Sequence, residues 1–110
     1  MVINMYLKIN NKKLQIKEYT KFKDKFKTFK FYLKDINYGI KIPKKKHANT
    51  YFFCQKVDIC FTDKNNKIIK LNSNIKSEKI IFCRKAHNVY YLPLGTNKFL
   101  KIDETLKIKM

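Results

Sequence analysis

The run Val57-Asp58-Ile59-Cys60-Phe61-Thr62 alternates large apolar side chains with smaller or polar ones, the period-two pattern of a β-strand with two unlike faces. Asp63-Lys64-Asn65-Asn66 follows as a turn, and residues 67–71 return as the partner strand. This hairpin constrains the fold more than any other segment, because a one-residue slip would turn its whole apolar row outward. Similar short runs surround it. Residues 2–9 and 13–18 read as a hairpin joined through Asn10-Asn11-Lys12, and Tyr38-Gly39-Ile40-Lys41-Ile42-Pro43 as a strand opened by Gly and closed by Pro. Further strands are expected at 79–83, 87–92 and 104–109, with one helical turn at 96–100.

One segment changes period. Phe22, Phe26, Phe29 and Leu33 recur at helical spacing behind Thr20, a good N-cap, which predicts an amphipathic helix over about 20–33. Its lysines would stay in water while the Phe stripe packs on a sheet. The expected fold is mostly β: a compact antiparallel sandwich or barrel of about seven or eight short strands with that single helix. A length of 110 residues makes one domain, 1–110. The chain is 45% hydrophobic and 15% aromatic, which supplies a core and argues against disorder.

The formal net charge is +18, yet 25 of the 26 basic residues are Lys, and Arg84 is the single Arg. A basic surface of this kind binds polyanions through counterion release, but bidentate base and phosphate recognition favours Arg. The lysines are spread along the chain, and Ile and Asn are abundant, as codon bias in an AT-rich genome would give. Non-specific, salt-sensitive binding of nucleic acid or another polyanion is expected, with Lys23, Lys27, Lys30, Lys44, Lys45 and Lys46 as its contacts. Apolar runs reach only four or five residues, so no membrane span is expected, and the N-terminal residues lack a signal-peptide pattern. A cytoplasmic location is the expectation. Three Cys, without metal-knuckle spacing, point to reduced thiols rather than a disulfide framework.

Asn49-Thr50-Tyr51-Phe52-Phe53, followed by Val57-Asp58-Ile59-Cys60-Phe61-Thr62-Asp63, resembles the prokaryotic proteins grouped as domain-of-unknown-function family 192. There, a His-Thr-aromatic-aromatic-Met run precedes an Ile-Asp-hydrophobic-hydrophobic-Phe strand and an Asp-containing turn. Val89-Tyr90-Tyr91-Leu92-Pro93-Leu94-Gly95-Thr96 looks like the family's Leu-Glu-Leu-Pro-Ala-Gly-Thr segment, and Asp103-Glu104-Thr105-Leu106 like its closing turn and strand. Tyr38-Gly39-Ile40 is similar to its Gly-Met-Leu. The resemblance implies a compact, mostly β sandwich or barrel. Asn49 stands where the family has His, Phe53 where it has Met, and Tyr91 where it has Glu. Chemistry that depends on that His or Glu would be lost here.

The catalytic candidates are weak. Cys83 and His87 lie four residues apart across an expected tight turn, close enough for a thiol and a base to meet, but a structural role is the simpler account. Asp58 stands inside an apolar strand and needs partners, either backbone N–H groups, a Lys or a ligand. If the chain stayed extended from Thr50 to Thr62, Thr50, Phe52, Cys54, Asp58, Cys60 and Thr62 would share a face; a bulge near Gln55-Lys56 would break that row. The leading expectation is a non-enzymatic small β domain with a binding or structural role and no cofactor or metal, its candidate pocket residues being Asn49, Thr50, Asp58 and Tyr91. The alternatives are a basic nucleic-acid or polyanion-binding module, and a divergent enzyme.

Overall fold

The structure, a computed structural model, describes residues 2–9, 12–20 and 28–109, with 2 and 3 described as backbone only. Nine strands are present among them: β1 (Val2–Ile9), β2 (Lys12–Tyr19), β3 (Tyr38–Pro43), β4 (His47–Asn49), β5 (Val57–Thr62), β6 (Ile68–Ile75), β7 (Ile80–Phe82), β8 (Asn88–Leu92) and β9 (Ile108–Lys109). A 3-10 turn covers Thr96–Phe99. Seven strands form one sheet in the order β6-β5-β8-β3-β2-β1-β9, and β4 pairs with β7 in a small second sheet.

The alternation in β5 sets the layering. Val57, Ile59 and Phe61 face one buried cluster with Ile40, Ile42, Val89 and Tyr91. Cys60 faces the other, with Met5, Leu7, Ile16, Tyr90, Leu92 and Leu106. Every residue of β5 and β8 is buried, so these central strands are covered on both faces. Gly39 has a steric reason: a Cβ there would lie 2.6 Å from Ile16 Cδ1 and 2.9 Å from Leu92 Cδ2. A side chain at this position would force the buried Ile16 and Leu92 side chains to shift.

Three expectations need correction. The sheet is mixed rather than antiparallel throughout, because β2 and β3 pair in parallel, Ile16 against Gly39 and Glu18 against Lys41. It is not a closed barrel. The segment after Asp103 spans from one edge to the other at a single end: Ile68 N–H donates to Glu104 O (2.8 Å), and Lys8 N–H to Lys107 O (2.9 Å). The third is the helix over 20–33. Residues 21–27, with Lys23 and Lys27, lie outside the described residues, and 28–33 are a turn and an isolated bridge, Lys30 against Phe53. Over 28–33 tertiary packing overrides the stripe. Phe29 is buried in a chain of rings with Tyr32 (5.6 Å between centroids), Tyr38 (5.3 Å) and Phe53 (6.3 Å). Leu33, on the same expected face, is 82% exposed. Phe31 has φ 58°, which no right-handed helix accommodates.

Candidate functional site

Residues 51–55 form a turn and a bend around the isolated bridge at Phe53 rather than extended strand, so the expected row of alternating residues is divided. Thr50 and Asp58 therefore serve different places. Asp58 is 1% exposed, and its carboxylate accepts three backbone N–H bonds, from Asn74 on Oδ1 and from Gly95 and Asn97 on Oδ2, each at 2.9 Å. It fastens the 3-10 turn and the end of β6 to β5. A shallow open depression of about 370 Å3 lies beside it.

Asn49, Thr50, Tyr91 and Lys30 do come together. Asn49 ends β4, and its N–H donates to the buried Tyr91 Oη at 3.0 Å. Burial pushes the Tyr91 phenol up to about 12, against the lowering effect of that N–H, so it stays neutral. The Asn49 Oδ1 accepts from Lys30 Nζ at 3.2 Å and from Tyr51 N–H at 3.4 Å, and Lys30 Nζ also donates to Tyr51 O at 3.1 Å. Thr50, fully buried, donates its hydroxyl to Lys76 O (2.6 Å) and accepts from Lys79 N–H (3.0 Å). Its carbonyl takes the N–H of Glu78 at 3.0 Å, and Glu78 Oε1 accepts from Phe52 N–H at 2.8 Å.

This network holds up an exposed pair of rings. Phe31 and Phe52 are stacked at 5.3 Å between centroids and 25° between planes, with 70% and 56% of each residue open to solvent. Both backbones are left-handed, at φ 58° and 64°, and so is Glu78 at 60°. A non-glycine residue in that region costs roughly 1–2 kcal/mol, and such strain concentrates at functional positions. Phe31 N–H donates to Phe52 O at 2.9 Å, which ties the two loops together. Lys30 Nζ stands 5.8 Å from the Phe52 and Phe53 ring centroids. Desolvation lowers its pKa, Glu78 raises it, and Lys45 lowers it further. Tyr51 and Leu33 add exposed apolar surface.

Of the remaining predicted contacts, Lys44 and Lys46 are exposed and Lys45 is half-buried. Lys45 acts electrostatically on both Lys30 and His47. The thiols are separated: Cys54 is exposed, Cys83 half-buried, and Cys60 is buried with its pKa pushed up to about 12. Among the described residues no hydrogen bond joins Cys83 to His87, and no group of three or more His, Cys, Asp or Glu could hold a metal ion. No described helix is long and apolar enough to cross a membrane.

Sequence reasoning named Phe52 only as part of the extended row and missed Phe31 and Glu78. The signal was present in Phe29-Lys30-Phe31 and Phe52-Phe53, where one ring of each pair is buried and the other exposed.

No family model matches the chain, and no curated protein matches it. Its fold is similar to that of a protein of unknown function from Novosphingobium aromaticivorans DSM 12444: TM-score 0.73, 13% identity, 99% of this chain and 85% of that one covered. It is also similar to a "putative transcription regulator" from Sinorhizobium meliloti 1021: TM-score 0.76, 14% identity, 99% and 93% covered. At these identities the likeness is one of fold, and the chain is a small β domain of the architecture those two structures share.

Proposed function

We propose that this chain is a non-enzymatic binding module whose ligand surface is the Lys30–Phe31–Phe52 platform, and that the ligand is single-stranded nucleic acid. The observation that carries the reading is the stacked Phe31–Phe52 pair, kept exposed on left-handed backbone by the bonds of Asn49, Thr50 and Glu78. Burial of such a ring is worth roughly 1.5–3 kcal/mol, so their exposure forgoes stability. Aromatic faces beside lysines are the general means of binding single strands, since every base has a π-face and every link a phosphate. The net charge of +18 favours an anionic partner over a neutral apolar one. The Sinorhizobium protein shares the fold at 14% identity, and the reading rests on the aromatic–lysine geometry instead.

Membership of domain-of-unknown-function family 192, as a divergent member, is part of the same proposal. Its support is that Asn49 and Tyr91, the positions of the family's His and Glu, are in direct hydrogen-bond contact here. Two motif positions far apart in sequence thus meet beneath the platform.

The test is a titration of the protein with a labelled oligothymidylate, followed by anisotropy at low and near-physiological salt. Binding with Kd tighter than about 10 μM at about 150 mM salt is expected. Binding that vanishes there leaves only the non-specific attraction of a basic surface, and an exposed apolar protein-docking patch becomes the better account of the rings.

A further inference from the structure

A second concavity lies away from the platform residues, between the β1–β2 hairpin and the segment 93–99. Its volume is about 480 Å3, within the range of small-molecule sites. Leu14, Leu94 and Phe99 line it, and Leu94 and Phe99 are 56% and 48% exposed. Lys12, Lys13 and Lys98 line it as well, and no Asp or Glu is among its described lining residues. Its wall is held in place from below: Asp58 accepts the N–H groups of Gly95 and Asn97, both at 2.9 Å. The Asn97 Nδ2 donates to Ile59 O and Asn72 O, each at 3.2 Å, so the turn is fixed to both β5 and β6. Preorganisation of this kind lowers the ordering cost of binding.

A lining whose described residues offer apolar surface, three ammonium groups and no carboxylate is complementary to an amphipathic anion. We propose that this cleft binds a free medium-chain alkyl carboxylate, with its tail against Leu14, Leu94 and Phe99 and its head group among Lys12, Lys13 and Lys98. A bilayer presents a broad surface and cannot enter a one-ligand concavity, so the free acid is the occupant. The wall fastened by Asp58 makes that residue a positioning residue for this cleft.

Isothermal titration of the full chain with octanoate, decanoate and dodecanoate at about 150 mM salt tests this. Saturable one-to-one binding is expected, tightening roughly tenfold for every two methylenes added. Acetate, which lacks the tail, and decyltrimethylammonium, which carries the wrong charge, should give no saturable binding. Leu94→Asp and Lys98→Glu should each weaken decanoate at least tenfold, while Lys64→Glu, in the β5–β6 turn, should leave it unchanged. Should Leu94→Asp fail to fold, Lys98→Glu at an exposed position carries the comparison. Uptake weakened equally by Lys64→Glu, equal binding of the quaternary ammonium, or decanoate binding no tighter than about 1 mM would each overturn the proposal. Preference for anionic vesicles over free decanoate would overturn it as well.

Discussion

Asp58 is the residue on which the local architecture turns. Its carboxylate satisfies the N–H groups of Asn74, Gly95 and Asn97. Asp58→Ala removes all three acceptor contacts at once, and an unsatisfied buried group costs about 1–3 kcal/mol. A loss of at least about 3 kcal/mol is expected from urea unfolding, with Asp58→Asn losing less because one acceptor oxygen remains. That Asp58 would need partners was legible from its place in an apolar strand. Which N–H groups answer it was not, because they come from segments 16 to 39 residues away. His47 supplies a pH dependence. Burial lowers its pKa below the ordinary 6.5, and Lys45 lowers it further. The folded chain therefore holds that proton more weakly than the unfolded chain. The resulting stability is present above pH 6.5 and is lost as pH falls through the depressed folded value. Urea midpoints between about pH 5 and about pH 7 should rise with pH, and His47→Gln should flatten that rise.

At the scale of elements, the hairpins were readable and the platform was not. Strict alternation in β5 and the Asp63–Asn66 turn give the β5–β6 pair its pattern, and Asp63 Oδ1 accepts from Asn65 N–H (2.8 Å) and Lys67 N–H (3.0 Å) as a turn aspartate should. Over 28–33 the helical period misled, because Phe29 is buried by tertiary contacts with Tyr38 and Phe53 that no local window contains. The parallel β2–β3 pairing was hidden for a related reason, since it depends on the path of the connection between them. Left-handed Phe52 offers a direct check on strain. Phe52→Gly and Phe52→Ala both lose the ring stack, so their difference isolates the backbone. Phe52→Gly should be the more stable by about 1 kcal/mol in denaturant unfolding. Equal stabilities would mean that the loop relaxes without its ring.

At the scale of the whole molecule, the two faces of one curled sheet carry two cores, and the platform and the cleft sit on what is left outside them. The C-terminal segment completes the second core. Leu106 is 6% exposed, and its N–H donates to Asn66 O at 2.9 Å. Leu106→Ala should therefore cost about 3 kcal/mol in urea unfolding, as for other buried leucines. A loss below about 1 kcal/mol would mean that this segment is dispensable for the fold. The excess of Lys over acid explains why charge alone cannot identify a ligand. A surface carrying +18 attracts any polyanion, and specificity must come from shape and from π-faces.

The central claim is that the exposed rings stack on bases, and one comparison isolates it. The double variant Phe31→Leu with Phe52→Leu keeps the apolar bulk and all the charge but removes both π-faces. Oligothymidylate affinity should be measured across a salt series for this variant and for the parent chain. The variant should bind at least tenfold more weakly at every salt concentration, with the slope of log K against log salt unchanged. Equal affinities, with both chains following one salt line, would contradict the claim and leave the platform without a role in nucleic-acid binding.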